Sequence, residues 1–431
     1  MTEPITLTIE RLAFGGDGVG HLSSGKVVFV SGAFPGDTVH VSLTEEHNRF
    51  ARARVVDWVE RAPERIEPAC PVADRCGGCS FWRLDPTRAW TLKAESARDT
   101  IARLSRMPHP SAVDTIAAPQ TSRYRRRLRL HFDGNRVGLF AAGSHTLVPL
   151  DDCLVAHPTL IAAAHQLQPH LDSFGRGELT LDLDDVDPPR AVATLSLQAS
   201  EVRGLGRLRA ALETAPHLKG VRVLPSGLHP GERGESRVGD ISFTLASGGH
   251  LHRLEAGVFT QANDAVNGLL LDRVRTELDV EDGDSILELF CGWGNVSFGL
   301  VEAGAVVQGF DVAPLSLKLG LANARRLLGS AAERLTLAER DLGRGLPRKH
   351  TRAGRYRKVV LDPPRSGAAA VISGLLTLAP ERIVYMSCDP ATLGRDMKAL
   401  HAGGYRWTRL ALLDMFPQTA HVEAIATMER V

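Results

Sequence analysis

The sequence contains no apolar run of the ~18 residues that a membrane-crossing helix needs. Its start, MTEPITLTIERLAFGGDG, also lacks the basic segment and apolar core of a secretory leader. We therefore expect a cytoplasmic location and no membrane partner. Cysteine is scarce: six in 431 residues, too few and too unevenly spaced for a disulfide framework. The formal net charge is only +1, so binding of nucleic acid would depend on local basic clusters.

The chain is longer than one hydrophobic core usually is, which predicts two or three domains. Residues 1–62 alternate apolar and polar positions in short runs between glycine turns, a pattern typical of a small antiparallel β-barrel. Residues 63–261 predict an α+β region, whose acidic stretch from Glu178 to Asp187 is expected to form a solvated edge. The helices predicted in it span residues 87–106, 157–168 and 202–214.

Residues 262–431 repeat the order strand, glycine turn, helix. This rhythm predicts an α/β domain with a doubly wound, mainly parallel sheet. In such sheets a ligand binds above the carboxyl ends of the strands. We expect the protein to be a monomer.

The segment SILELFCGWGN places Glu288 inside a predicted strand and two glycines, Gly292 and Gly294, in the turn after it. Such a turn lets the backbone approach a nucleotide, and the missing third glycine argues against a dinucleotide-binding dehydrogenase. Asp311 and Asp341 end the next two predicted strands, where carboxylates can bind ribose hydroxyls. The pattern suits an adenosine without phosphates, such as that of S-adenosylmethionine. Alternatively these carboxylates only cap helices, an alternative that is open above all for Asp341.

Asp362 ends the next predicted strand in LDPPRSG, where two prolines stop the strand and stiffen the loop. Methyltransferases that act on amino groups of adenine use a related loop with an aromatic residue at its fourth position. Arg365 occupies that position here and suits a phosphate or carbonyl oxygen better. A simple helix cap and turn is the alternative.

Cys388 lies in IVYMSCDPATLGRD, between a predicted buried strand and a helix start led by proline. This position fits methylation of uracil at carbon 5, because that carbon becomes nucleophilic only after a thiolate adds to carbon 6. A base must then remove the carbon-5 proton so that the thiol can leave. Glu423, in the apolar strand of TAHVEAIATMER, is the candidate base, because burial would raise its pKa. Packing of a buried thiol is the alternative for Cys388, and Cys291 is interpreted as structural.

Together these residues resemble the RNA (uracil-5-)methyltransferase family, in particular its bacterial 23S ribosomal RNA branch with a TRAM domain and a [4Fe-4S] cluster. The resemblance covers essentially the whole chain. It implies a TRAM-like barrel in residues 1–62 and a central domain with the cluster and RNA-binding strands in residues 63–261. Residues 262–431 would be a class I methyltransferase domain that uses S-adenosylmethionine. The implied activity is formation of 5-methyluridine in RNA, with 23S rRNA as the expected substrate.

The resemblance also implies roles for individual residues. The four cluster ligands would come from CPVADRCGGCS and DDCLVAHP, although zinc would accept the same sulfurs: Cys70, Cys76, Cys79 and Cys153. The residues implied in cofactor binding are Gln261, Phe290, Asn295, Asp311, Asp341 and Asp362. Cys388 would be the nucleophile and Glu423 the proton acceptor. The chain departs from the family pattern at Asp311, usually glutamate, and at Asp389, usually asparagine, whose charge should raise the pKa of Cys388.

Two basic runs are candidates for contact with RNA, since phosphate neutralisation needs such clusters. The second spans residues 344–358, and the first, TSRYRRRLRL, contains Arg123, Arg125, Arg126, Arg127 and Arg129. Solvated surface arginine is the alternative for both. The N-terminal barrel carries more acidic than basic residues, so it would bind RNA through one face or by shape and stacking.

Three other functions are compatible with the sequence. The protein could be a tRNA uracil-5 methyltransferase of the same family, or a methyltransferase that acts on cytosine or an amino group. It could also be a non-catalytic RNA-binding or assembly factor, against which the intact Cys388 and Glu423 argue.

Overall fold

The computed structural model describes residues 5–110 and 112–431. The first six strands are β1 (Ile5–Thr8), β2 (Arg11–Leu12), β3 (Gly18–His21), β4 (Val27–Ser31), β5 (Thr38–Glu46) and β6 (Phe50–Glu60). Strand β1 pairs with β5 at one edge of this sheet, and β2, which follows β1 in the chain, pairs with β3 at the other edge. This double pairing closes the sheet around apolar side chains such as Val28, Val39 and Ala51. The predicted barrel is confirmed, but it is not entirely antiparallel, because β4 and β6 pair in parallel.

Helix α1 (Pro86–Ser105) and strand β7 (Ala112–Ile116) follow the cysteine-containing segment. The Asp85 side chain accepts the N–H groups of Thr87 and Arg88 and so caps the start of α1. Arg106 ends the helix in the left-handed conformation, with φ of 59°. The helix predicted over residues 87–106 is confirmed.

The central sheet has seven strands in the order β10–β9–β8–β11–β12–β13–β14. Its elements are β8 (Arg127–Asp133), β9 (Arg136–Phe140), β10 (Leu147–Pro149), α2 (Pro158–Leu167), β11 (Arg176–Asp184), β12 (Arg190–Leu197), α3 (Leu205–Thr214), β13 (Leu218–Leu224) and β14 (Ser236–Gly239). Apolar side chains of one face pack on α2 and α3, the two other helices predicted for this region. On the opposite face, Arg129 and His131 of β8 reach solvent.

The acidic stretch of β11 is not the solvated edge that the sequence predicted. Asp182 and Asp184 are buried, because β11 lies inside the sheet between β8 and β12. Asp182 forms an ion pair with Arg127 at 2.8 Å, and Asp184 forms one with Lys219 at 3.0 Å. Buried carboxylates need such partners. The charge pattern therefore marked internal ion pairs.

The C-terminal sheet has eight strands in the order β19–β18–β17–β20–β21–β23–β22–β7, and is preceded by a hairpin. The remaining elements are β15 (Ser242–Ser247), β16 (His250–Glu255), α4 (Asp264–Leu278), β17 (Ser285–Leu289), α5 (Ser297–Glu302), β18 (Val306–Asp311), α6 (Pro314–Leu327), β19 (Leu335–Glu339), β20 (Lys358–Leu361), α7 (Ala369–Leu378), β21 (Arg382–Ser387), α8 (Pro390–Ala402), β22 (Tyr405–Leu413) and β23 (Glu423–Arg430). Only β23 runs antiparallel to its neighbours β21 and β22. Helices α4, α5 and α6 cover one face and α1, α7 and α8 the other, which confirms the doubly wound sheet.

Two segments from the range 63–261 pack with this sheet. Strand β7 pairs in parallel with β22, and α1 lies against α8. The β15–β16 hairpin packs on α4 and α6. Within residues 5–110 and 112–431, no helix is long and apolar enough to span a bilayer.

Candidate active site

The turn after β17 holds the first part of the site. Phe290 and Gly292 have positive φ, 61° and 57°, so the backbone folds back over the strand end. Asp311, at the end of β18, accepts the N–H of Gly292 at 2.8 Å and that of Ala313 at 2.9 Å. Its carboxylate therefore fixes the glycine turn to the start of α6.

A cavity of about 50 Å³ opens beside this turn, and we call it the cofactor pocket. Four of the six residues implied in cofactor binding line it: Gln261, Phe290, Asn295 and Asp362. Asp311 lies behind the turn through its hydrogen bond to Gly292. Asp341 is exposed, accepts the N–H of Gly343 and pairs with Arg344. This is the capping arrangement considered as the alternative for Asp341.

Three carboxyl groups at this edge of the sheet have no cation beside them in the described chain: Glu288 and Glu423 are buried, and Asp362 is half-buried. Burial, the main cause, raises the pKa of Glu288 to about 8 and that of Asp362 to about 7. Burial and the neighbouring Asp362 also raise the pKa of Glu423 well above its ordinary value. No lysine or arginine of the described chain acts on the pKa of any of the three. Glu288 was noted in the sequence but not selected as a site residue, since an acid within a strand gives no signal of its own.

Cys388 and Glu423 are brought together by strand pairing. In the β21–β23 ladder Ser387 lies opposite Ala424, so the next step of the register places Cys388 opposite Glu423. Because β23 is antiparallel to β21, its amino end lies at the edge where the parallel strands end. Directly opposed residues of antiparallel strands have Cβ atoms about 4.5–5.5 Å apart. The thiol and the carboxyl group thus share one edge with Asp362, which follows β20.

The thiol is protonated in this environment. Burial and then the Glu423 carboxylate raise the pKa of Cys388 to about 11, while the nearby Arg365 lowers it. Asp389 also raises this pKa, in the direction that its place in the sequence predicted. Glu423 is 2% exposed, and its Oε1 has no hydrogen-bond partner among the described residues. An unpartnered buried acceptor of this kind is costly and marks a place for a ligand group.

Cys388 opens into a cavity of about 220 Å³, which we call the thiol pocket. Three parts of the chain form its walls: the barrel contributes Phe14 and Gly15, the cysteine segment Gly77, Gly78 and Ser80, and the catalytic domain Arg365, Asp389, Thr419, Ala420 and His421. An Arg365 nitrogen lies 3.1 Å from His421 Nε2. No local sequence pattern indicates the contributions of Phe14, Ser80 and His421, because only the tertiary structure brings the barrel and the cysteine segment to Cys388.

The loop between β22 and β23 is fixed by contacts from outside the domain. The Gln418 carbonyl accepts the N–H groups of Ser80 and Phe81, at 2.8 and 3.1 Å. The Tyr124 hydroxyl donates to the Pro417 carbonyl at 2.9 Å. Lys93 of α1 forms a buried ion pair of 2.5 Å with Asp414. This loop leads directly into Glu423, so these contacts help to position that carboxyl group.

The four cysteines with the spacing of cluster ligands meet around one cavity of about 80 Å³: Cys70, Cys76, Cys79 and Cys153. Burial raises the pKa of the Cys79 thiol to about 12 and also raises that of Cys76 and Cys153. Within residues 5–110 and 112–431, no three His, Cys, Asp or Glu side chains are grouped closely enough to hold a metal ion. The structure therefore brings four thiols to the wall of one cavity.

The first basic run is not a free RNA-binding cluster. Arg126 is buried and pairs with Asp185 and Asp264, and Arg127 pairs with Asp182. These arginines lie where the central sheet meets α4, and carboxylates from both sides neutralise them inside the protein. The prediction of phosphate contact is wrong for these two arginines. Arg129, with its side chain 64% exposed, still reaches solvent.

The glycine turn, the strand-end acids and the doubly wound sheet define a class I methyltransferase fold. A family model described as tRNA (Uracil-5-)-methyltransferase matches residues 242–431, and a TRAM domain model matches residues 3–56. The 23S rRNA (uracil(1939)-C(5))-methyltransferase RlmD of Pectobacterium carotovorum is 34% identical over 98% of this chain and 93% of its own. The enzyme of the same name from Shewanella piezotolerans is 30% identical over 100% of this chain and 96% of its own. The chain belongs to the RNA uracil-C5 methyltransferase family, as the sequence motifs predicted.

A solved structure supports the same fold along the whole chain. The tRNA (uracil-54, C5)-methyltransferase of Pyrococcus abyssi, in complex with S-adenosyl-L-homocysteine, superposes with a TM-score of 0.71. The match covers 98% of this chain and 99% of that one, at 21% sequence identity. The structural similarity therefore extends over the barrel, the central region and the C-terminal sheet of this chain.

Proposed function

We propose that this protein transfers a methyl group from S-adenosylmethionine to carbon 5 of a uridine in RNA, and that the RNA is 23S rRNA. Relatives named as 23S rRNA enzymes are 30–34% identical over nearly the whole chain. The archaeal structure named as a tRNA enzyme is 21% identical. The greater similarity to the rRNA enzymes favours 23S rRNA over tRNA.

The observation that carries this proposal is the placement of Cys388 opposite Glu423 at the edge that also holds Asp362. Uracil carbon 5 cannot attack a methylsulfonium by itself. A sulfur nucleophile and a carboxyl base at one strand edge are the two groups that the reaction requires.

The proposed reaction begins when the Cys388 thiolate bonds to carbon 6 of a uracil turned out of its RNA stack into the thiol pocket. The electron pair of the carbon 5–carbon 6 double bond moves toward oxygen 4, which makes carbon 5 nucleophilic. Bound S-adenosylmethionine supplies the methyl group as an electrophile and departs as the neutral thioether. Glu423 takes the carbon-5 proton, the double bond re-forms, and the bond from carbon 6 to sulfur breaks. The thiolate is thereby regenerated.

The cofactor assignment is supported by the charges of the site. The carboxyl groups of Glu288, Asp362 and Glu423 have raised pKa values, and no lysine or arginine among the described residues offsets this. The sulfonium of S-adenosylmethionine is a cation of the required sign. Its charge would also lower the pKa of Cys388, whose thiol is otherwise protonated at neutral pH.

Six residues are proposed to bind the cofactor. Lining of the cofactor pocket supports Gln261, Phe290, Asn295 and Asp362. Asp311 would act on the ribose from the end of β18 while it holds the glycine turn. Asp341 is the weakest member, since its side chain already caps Gly343 and pairs with Arg344.

We also propose that Cys70, Cys76, Cys79 and Cys153 bind a [4Fe-4S] cluster. Four thiolates complete the ligand set of such a cluster. All four thiols line one cavity of about 80 Å³, which supports a shared ligand, and zinc is the alternative for the same sulfurs. The proposed methyl transfer needs no electron, so the role proposed for the cluster is structural.

The test uses RNA tritiated at carbon 5 of uridine and S-adenosylmethionine. The wild-type protein should release tritium into water, which methylation of cytosine or of an amino group would not do. Cys388→Ala should abolish release and retain cofactor binding. Glu423→Gln should trap a covalent protein–RNA adduct that resists denaturation. The matched control is Glu429→Gln on the same strand, which should release tritium at the wild-type rate; normal turnover by Glu423→Gln would refute the proposed role.

A further inference from the structure

A second concave surface lies on the solvent side of the central sheet, remote from the reacting groups. It is a cavity of about 830 Å³ lined by residues of β8, β9, β11 and the loop before β10, and we call it the stacking groove. His131 stacks on Phe140, with ring centroids 3.9 Å apart and an angle of 13° between the planes. His145 meets the same ring edge-on at 5.3 Å. The groove therefore presents a cluster of three aromatic rings.

Basic side chains surround these rings. Arg129, Arg136 and Arg176 have side chains that are 64%, 59% and 68% exposed. Among the described residues, their acidic partners at the groove are Asp133 and Glu178, and Asp133 is shared by two of them. Three guanidinium groups thus face two carboxylates, which leaves positive charge beside the rings.

A third cavity lies between the stacking groove and the thiol pocket. The stacking groove shares Thr146 and Leu147 with this cavity of about 640 Å³ between the barrel and the cysteine segment, the connecting groove. The connecting groove in turn shares three residues with the thiol pocket: Gly15, Gly77 and Ser80. Three neighbouring cavities therefore lie between Cys388 and the aromatic cluster.

We propose that the stacking groove binds unpaired nucleotides of the same RNA whose uridine enters the thiol pocket. Bases of any sequence can stack on aromatic rings, and exposed arginines neutralise the phosphates between them. The row of neighbouring cavities offers one strand a path between the two places. The inference rests on the proposed function for the nature of the ligand. The residues of the stacking groove do not touch the reacting atoms, so the groove adds affinity for the flanking strand and leaves the chemistry unchanged.

The decisive variant is Phe140→Leu, which keeps an apolar side chain at this half-buried position but removes the ring. Binding is measured by fluorescence anisotropy with two RNAs, one limited to the target loop and one extended by single strands on both sides. Loss of one stacked base should raise the Kd of the extended RNA about tenfold. The Kd of the short RNA and kcat at saturating RNA should not change. Phe140→Tyr, which retains the ring, should bind the extended RNA as the wild type does.

A second variant tests the charge. Arg176→Ala should reduce the slope of log Kd against log salt by about 0.7 for the extended RNA, the value of one phosphate contact on a single strand. Arg207→Ala on α3, an exposed arginine outside the groove, is the matched control and should leave the slope unchanged.

Equal binding of the extended RNA by Phe140→Leu and the wild type would overturn the inference. An equal loss of affinity for both RNAs would overturn it too, because the defect would then not belong to the flanking strand. A wild-type protein that binds both RNAs but releases no tritium would refute the proposed function alone. The comparison of the two Kd values would still decide the role of the groove.

Discussion

Acidification from pH 8 to 5.5 should weaken the binding of S-adenosylmethionine much more than that of S-adenosylhomocysteine. The first ligand carries a sulfonium cation, whereas the second has a neutral thioether at the same atom. Asp362 lies in the cofactor pocket with its pKa raised by burial to about 7. Its carboxylate, the form that attracts a cation, is therefore lost over this pH range.

The size of the effect follows from that pKa. A carboxyl group with a pKa of about 7 is about 3% ionised at pH 5.5 and about 90% ionised at pH 8. If the sulfonium requires the ionised form, the apparent Kd scales with the inverse of this fraction. The Kd of S-adenosylmethionine should then rise about 30-fold, or about 2 kcal/mol, on acidification. Glu288, whose pKa burial raises to about 8, changes the Kd in the same direction.

Isothermal titration calorimetry with both ligands at pH 5.5 and 8 measures the effect. The ratio of the two Kd values is the relevant quantity, because it cancels the titration of the groups that the ligands share. Asp362→Asn should reduce the change of this ratio several-fold, while Glu429→Gln should leave it as in the wild type. A ratio that does not depend on pH in the wild-type protein would refute the reasoning that the buried carboxyl groups are reserved for a cation.

Three further predictions concern the supports of the site. Lys93→Met should lower the free energy of unfolding, measured by urea titration, by about 3–5 kcal/mol, because it leaves Asp414 buried and unpaired. The double variant Lys93→Met with Asp414→Asn should recover most of the lost free energy. Gln418→Gly should raise the melting temperature and Gln418→Ala should not, because this position has a φ of 67°, which glycine adopts without strain and alanine, with its Cβ, does not. Cys153→Ser should reduce the iron bound per purified chain, measured by a colorimetric iron assay, whereas Cys291→Ser should not; equal iron in both variants would exclude Cys153 as a ligand.

The sequence predicted the fold well where local patterns decide it. The alternating runs of residues 1–62 and the repeated strand, turn and helix after residue 262 gave the barrel and the doubly wound sheet, because each pattern has one packing solution. The cysteine spacing and the motif around Cys388 identified residues that the structure gathers into two cavities. Their chemical roles stay predictions.

Other features could not be read from local patterns. Arg126 and Asp182 look like surface charges in the sequence, and only the pairing of β8 with β11 shows that they neutralise partners inside the protein. The pairing of β7 with β22 joins residues about 300 positions apart, so no window of sequence reports it. The walls that Phe14 and Ser80 add to the thiol pocket depend on the same long-range packing.

The position of the cysteine segment explains how a cluster could serve a reaction that transfers no electron. Ser80 directly follows Cys79, and its N–H, with that of Phe81, holds the Gln418 carbonyl. Gln418 lies five residues before Glu423, on the loop that walls the thiol pocket. A rigid group bound by Cys79 would therefore fix the two N–H donors, and through them the approach of the loop to the base. Loss of the cluster should accordingly impair the geometry at Glu423 while the cofactor pocket, built on β17 and β18, continues to bind its ligand.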